Sequence, residues 1–238
     1  MKLKLREARN QSGGIFISLL EYIFPPRCSI CNEVLSPESP INICISCARD
    51  MEYFSNCVEP FYLPGEMKTY CDGIICVGKY CNALKNSIRR FKFKDKPSYY
   101  RAFGKLLALK VRNTVQAGEI DAVIPVPMHK GRMRQRGYNQ AELMAGLVAR
   151  ELGLKLEGGL LIKVLETRSQ SLLSRAERFS NLEGAFTVNC PSRAANKNIL
   201  LVDDILTTGS TVNQCSKELK QAGAARIIAG VIATTRAD

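Results

Sequence analysis

Apolar positions along the chain follow two rhythms, and the change falls near Glu119. Upstream, Ile15–Phe24 reads as a short amphipathic helix stopped by Pro25 and Pro26. Residues 27–60 are rich in Cys, Ser and Pro and carry neither helical nor strand periodicity. Ile74–Val77 is a short apolar run that predicts a strand, and helical spacing follows over 80–93 and 98–116. Downstream, strands and helices alternate. Ile120–Val126 reads as a buried strand, followed by a polar basic loop from Met128 to Gly137. A helix over 138–152 carries Ala141, Met144, Ala145, Val148 and Leu152 on one stripe, with Gly153 at the capping position. Leu160–Leu165 is expected as a second strand, 166–184 as a long loop with a short helix, and Ala185–Val188 as a short strand. Ile199–Val202, a helix over 211–222 ended by Gly223, and Ile227–Ala233 complete the pattern. Strands alternating with helices imply an α/β fold with a parallel sheet covered on both faces. The expected division is 1–60, a cysteine module with its leading segment; 61–116, a basic helical linker or hood; and 117–238, the α/β domain.

Composition sets bounds on this picture. The chain has 238 residues, 46% apolar and 24% charged, which excludes a mostly disordered or collagen-like protein. No run approaches the roughly 20 apolar residues of a membrane span. The best candidate, Ile15–Phe24, contains Glu21 and lacks a secretory cleavage site, so the expected compartment is the cytoplasm. Ten cysteines in a reducing compartment favour metal binding over disulfides.

The net charge of +12 is concentrated. Between Lys79 and Arg136 fifteen basic residues face only three acids, an imbalance as large as that of the whole chain. Such a window suits a polyanion, with Arg89, Arg90, Lys92, Lys94, Arg134 and Arg136 as candidate nucleic-acid contacts, and it equally suits a solvated basic face. The interleaved aromatics Tyr80, Phe91, Phe93, Tyr99 and Tyr100 offer stacking faces for bases or core faces for helices.

Two segments carry chemistry. Cys28-x2-Cys31 and Cys44-x2-Cys47 are two knuckles twelve residues apart, the spacing of a closed tetrahedral zinc site with a structural role. Cys57, Cys71, Cys76 and Cys81 do not form knuckles and read as ordinary buried cysteines, with a second metal site as the alternative. The second segment runs from Ile199 to Thr211. An apolar strand enters Asp203 and Asp204, then the turn Thr207-Thr208-Gly209-Ser210-Thr211, then a helix. Such a turn can wrap a phosphate with amides and hydroxyls, while the helix aims its positive end at the anion. Carboxylates beside a phosphate make sense when the ligand also brings hydroxyls or Mg²⁺, as a sugar phosphate does. Simple helix capping would use fewer of these groups. No Gly-Lys-Ser/Thr or G-x-G-x-x-G motif is present, which removes Walker A and dinucleotide readings.

Val202-Asp203-Asp204 with Thr207–Thr211 resembles the phosphoribosyl pyrophosphate (PRPP) signature of type I phosphoribosyltransferases. With the four cysteines and Arg136-Gly137-Tyr138-Asn139-Gln140, the chain from about Phe24 to Ala233 resembles the ComF family of competence-related proteins, which includes GntX-like members. The resemblance implies a type I phosphoribosyltransferase-like sheet flanked by helices, with a small N-terminal four-cysteine zinc module. It implies that Asp203 and Asp204 hold the ribose hydroxyls and that Thr207, Thr208, Gly209, Ser210 and Thr211 hold the 5′-phosphate. Pyrophosphate would meet the loop bearing Pro127, His129, Lys130 and Arg132, whose basic groups suit phosphate oxygens in any case. Arg168, Gln170 and Arg178 would belong to a flexible loop that closes over the site. Implied cofactors are structural Zn²⁺ and Mg²⁺ carried with PRPP. Implied activity is a phosphoribosyl transfer linked to DNA uptake, natural transformation or nucleotide salvage. The alternative is a non-catalytic single-stranded-DNA-binding competence protein that keeps the PRPP site as a sensor or scaffold. Implied partners are single-stranded DNA and a DNA-uptake helicase or other competence proteins.

Overall fold

The computed structural model describes residues 25–36, 39, 41–63, 67–93, 97–167 and 181–236. The helix expected over 15–24 lies outside them. The first helix, α1 (Ile45–Asp50), belongs to the cysteine module. Strand β1 (Gly73–Lys79) is followed by α2 (Asn82–Phe93) and α3 (Tyr99–Arg112). Then come β2 (Ala122–Pro125), α4 (Lys130–Arg136), α5 (Gln140–Leu152) and β3 (Lys155–Leu156). Strands β4 (Leu161–Lys163) and β5 (Phe186–Val188) precede β6 (Asn198–Leu206), α6 (Ser210–Gln221) and β7 (Arg226–Thr234).

Five strands form one sheet in the order β1-β7-β6-β2-β3, and every pairing is parallel. The two faces of the strands bury different partners, as the period of two dictates. Ile75, Val77, Val123, Leu200, Val202, Ile228 and Ile232 pack with α2, α3, α5 and the cysteine module. Ile74, Cys76, Ile124, Leu201, Ala229 and Val231 pack instead with α6 and the β4–β5 pair. Both faces are therefore apolar, as the near-continuous hydrophobic runs require. Helices α3 and α5 approach closely at Gly104, where a Cβ would come within 2.8 Å of Leu147.

Three details depart from the sequence pattern. Leu160–Leu165 is not a strand of the main sheet: Leu161–Lys163 pairs antiparallel with Phe186–Val188. The strand beside β2 is the two-residue Lys155–Leu156, too short and too exposed to leave a periodic signal. The polar stretch 128–137 holds α4, which buries no residue and so shows no apolar stripe. Its ends are nonetheless marked: the His129 side chain caps it, and Gly137 (φ 80°) closes it in the left-handed region. Strand β1 and helix α3, from the stretch read as linker or hood, are built into the sheet and its covering layer.

Candidate functional site

A cleft of about 680 Å³ opens at the C-terminal edge of the sheet, where open α/β sheets bind ligands. Its floor is the end of β6. Consecutive residues of a strand face opposite sides, and the two acids divide accordingly. Asp204 faces α2, where the Lys92 ammonium lies 2.8 Å from its Oδ1. Asp203 faces the other layer, toward Lys163 and Cys215. Its Oδ1 accepts the Asp204 N–H at 2.8 Å. Burial, then the adjacent Asp204 carboxylate, push Asp203 up to about 7.

The turn after β6 carries the next group. Thr208 and Ser210 hydroxyls lie 3.0 Å apart, and the Ser210 N–H donates to Thr208 Oγ1 at 3.4 Å. Gly209 stands at the N-cap of α6 with φ 83°, and no side chain caps the helix there. The positive end of a twelve-residue helix thus faces the cleft with no acceptor from its N-cap residue and only the long Thr208 contact to its first amide.

The loop after β2 brings Pro127, His129 and Arg132 to the same cleft, whereas Lys130 lies exposed outside it. His129 Nδ1 accepts the Gly131 N–H at 3.2 Å and lies 3.9 Å from Glu166 Oε2. Arg89, Lys92 and Arg136 from the basic window line the cleft, but Arg90 and Arg134 do not. Arg90 donates to the Ile30 carbonyl instead. Lys94 and the loop residues Arg168, Gln170 and Arg178 lie outside the described residues.

Spacing alone did not mark Lys163 for the site. Its Nζ donates to Thr167 Oγ1 at 2.7 Å and sits 5.3 Å from the centre of the Phe186 ring. Burial, then the Arg132 charge, hold its pKa below the usual lysine value. Its signal was one lysine in a short strand that pairs outside the main sheet.

Arg136 donates to Gln140 Oε1 at 3.0 Å and lines the cleft. Tyr138 Oη and Gln140 Nε2 both donate to the Phe91 carbonyl in the last turn of α2. Asn139 Nδ2 donates to the Val126 carbonyl at 3.0 Å, while its Oδ1 accepts the Ala141 N–H at 3.1 Å. One short motif thus fixes α2, the loop after β2 and the start of α5 together.

A second centre lies in the N-terminal module. The sulfurs of Cys28, Cys31, Cys44 and Cys47 all lie within 4.8 Å of one another, with Cys31 and Cys44 3.6 Å apart. Tetrahedral Zn–S bonds of about 2.3 Å place sulfurs about 3.8 Å apart, so these four cysteines are positioned to bind a metal ion. Backbone N–H groups of Ile30 and Cys44 donate to Cys28 Sγ at 3.4 and 3.3 Å, and that of Cys47 to Cys44 Sγ at 3.4 Å. Burial works against the Cys28 thiolate, but the amides of Cys44, Cys31 and Ile30 outweigh it and bring its pKa down to about 7. Burial and neighbouring thiols raise Cys31 to about 11 and Cys47 further. Four crowded thiols do not all ionise unaided; a cation supplies the missing charge. Cys71 and Cys76 are buried in the core, while Cys57 is exposed and Cys81 half-buried. No other metal-capable cluster occurs among the described residues.

A family model for the phosphoribosyl transferase domain matches residues 138–238. The chain is 33% identical over 199 residues to competence protein F of Haemophilus influenzae, covering 77% of this chain and 81% of that protein. It is 31% identical over 157 residues to the DNA utilization protein YhgH of Escherichia coli, covering 65% and 68% of the two chains. Competence protein ComFC of Streptococcus pneumoniae is 32% identical over 145 residues, with 61% and 60% covered. No helix among the described residues is long and apolar enough to cross a membrane. With relatives aligned over most of its length and a phosphoribosyl transferase domain in its C-terminal part, the chain belongs to the ComF family of competence proteins.

Proposed function

We propose that the cleft binds PRPP, or a related ribose phosphate, and transfers its phosphoribosyl group to an acceptor. One observation carries this reading: two adjacent acids, a hydroxyl-rich turn at a helix N-terminus and the Pro127–Arg132 loop converge on one cavity of about 680 Å³. The turn Thr207–Thr211 takes the 5′-phosphate through its amides and hydroxyls. Asp203 and Asp204 accept from the ribose hydroxyls. Arg132 and the His129 imidazole take the diphosphate, with Lys163 adding positive charge from the β4–β5 side.

The protein's hard oxygen donors at the cleft floor are few, and Lys92 already engages Asp204. That suits Mg²⁺ arriving on the diphosphate of PRPP as part of the substrate, where it neutralises leaving-group charge. Attack by an acceptor nitrogen at ribose C1 forms the new C1–N bond as the C1–O bond to diphosphate breaks. Positive charge builds on the ring and negative charge on the leaving group. The cations lining the cleft stabilise the latter. No covalent enzyme nucleophile is needed.

The cysteine module holds Zn²⁺ as a structural ion, since four sulfur ligands leave no open position. In the cytoplasm this chemistry serves DNA uptake, natural transformation or nucleotide salvage. Calorimetric titration with PRPP and Mg²⁺ tests the reading. The chain binds, and the double variant Asp203→Asn with Asp204→Asn does not, while retaining its metal and circular dichroism. Normal binding by the double variant disproves the site assignment.

A second reading is favoured by the entry of Arg89, Lys92 and Arg136 into the same cleft. On it, the site is a scaffold or sensor for single-stranded DNA delivered by an uptake helicase or another competence protein. Affinity for an oligonucleotide then falls steeply with salt, and salt-independent binding counts against it.

A further inference from the structure

Helix α2 is gripped by both centres described above. Its Ser87 hydroxyl and Arg90 guanidinium donate to the carbonyls of Ser29 and Ile30, the two residues between knuckle cysteines Cys28 and Cys31. Two residues beyond Arg90, Lys92 places its ammonium 2.8 Å from Asp204 Oδ1. The turn between them is pinned at the Phe91 carbonyl by Tyr138 and Gln140. Ser87, Ile88 and Phe91 have no solvent exposure. Close packing of this kind transmits a shift at Ser87 and Arg90 to Lys92, less than two turns away.

Asp204 is only 7% exposed and sits beside a second carboxylate. A pair of nearly buried acids needs a cation to stay ionised. Lys92 forms an ion pair with Asp204, and the Arg136 guanidinium adds a second positive charge facing that carboxylate. The Lys92 side chain is itself 24% exposed, so it lies at the cleft rather than beneath it.

We infer that Lys92 is a positioning residue for the ribose-binding acids, and that the metal-bound knuckle sets its place through α2, so that metal retention and ribose-phosphate binding strengthen each other. The inference rests on the phosphoribosyl reading of the cleft. A phosphate-rich ligand adds negative charge beside Lys92 and holds the ammonium in its seat. That seat holds α2, and α2 holds the carbonyls of the knuckle. Binding linkage makes the effect reciprocal, so ligand must stabilise the metal by the same factor that metal stabilises the ligand.

The test times transfer of the metal from the full chain to a coloured chelator, with and without saturating PRPP and Mg²⁺, with PRPP binding followed separately by calorimetry. In the parent protein PRPP slows metal release by about fivefold or more, the lower end of usual coupling factors, because affinity differences are expressed mainly in dissociation rates. Lys92→Met keeps its metal content and circular dichroism but loses the slowing, and Lys92→Arg recovers part of it. Equal release rates in a chain that binds PRPP, faster release on binding, or full slowing in Lys92→Met each overturn the inference. Absence of any PRPP binding in the parent protein removes the underlying phosphoribosyl reading, and the inference with it.

Discussion

Arg236 donates from Nη2 to the carbonyl of Thr208 at 3.0 Å, tying the segment after β7 to the turn after β6. Its guanidinium also lies 4.9 Å from the centre of the Phe61 ring. The turn is therefore clamped from behind by two side chains that sequence spacing did not mark. At Gly209 a Cβ would lie 2.5 Å from Arg236 Nη2 and 2.9 Å from Phe61 Cζ, at a φ of +83°. Gly209→Ala is expected to cost about 1–2 kcal/mol in stability from its left-handed backbone alone. It should also weaken PRPP binding by about tenfold as the clamp is displaced. Urea unfolding and calorimetry check both, and a variant matching the parent in stability and affinity disproves the account.

The acid pair gives a pH signature. Asp203 has a pKa of about 7 against an ordinary 3.8. Below about 7 it is protonated and offers a weaker acceptor to ribose hydroxyls. PRPP affinity should therefore fall with decreasing pH through that value, by up to about tenfold per unit. Stability of the empty protein moves the other way. Between about 4 and 7 the folded chain keeps a proton that the unfolded chain has released, so the contribution of Asp203 declines as pH rises. Asp203→Asn should flatten this contribution to stability. A binding profile without inflection near 7 contradicts the assignment.

The two centres were legible in sequence to different depths. The knuckles and the Asp203–Thr211 segment were plain because their chemistry is local: the ligating or cradling groups lie within a few residues of each other. The sheet was legible where burial on both faces wrote long apolar runs, as at Ile199–Val202 and Ile227–Ala233. Lys155–Leu156 was not, because two exposed residues carry no period. In sequence Lys92 is one of six candidate nucleic-acid contacts in a basic window, and only the packing of α2 on the sheet brings it to Asp204. Lys163, Phe61 and Arg236 were missed for the same reason: their partners are distant in sequence and adjacent only in the fold.

The metal centre should be essential to its module. Among the described residues of 25–63 the large buried side chains are Ile30, Leu35, Ile43, Met51 and Phe61, and structural zinc supplies about 10–16 kcal/mol at neutral pH in small modules. Cys47→Ser is expected to lose the ion and to lower the melting temperature. Cys57→Ser, at an exposed cysteine outside the cluster, should retain full metal content. Metal analysis and calorimetric melting decide it. Retention of the ion by Cys47→Ser refutes the ligand set.

Asn139 offers a separate test of the Arg136–Gln140 motif. Removing its side chain deletes the cap of α5, at about 1 kcal/mol. It also strips a donor from the Val126 carbonyl, at about 1–3 kcal/mol where that oxygen becomes unsatisfied. Asn139→Ala should therefore lose about 2–4 kcal/mol in denaturant unfolding. Asn139→Asp keeps the cap acceptor but not the donor, and should fall between. Equal stability of all three proteins contradicts the joint role.

The pairing of β1 with β7 bears on how the molecule is made. The Ile227 N–H donates to Asp72 Oδ2 across 155 positions of sequence, and the parallel ladder beside it is equally non-local. Such contacts form late and slowly, because the intervening loop must close before any of them is rewarded. On the ribosome, the apolar strand Gly73–Lys79 emerges long before its neighbour exists. Until synthesis reaches Thr234, that unfinished edge is open to pairing with other nascent chains, and release of an incomplete polypeptide leaves it permanently exposed.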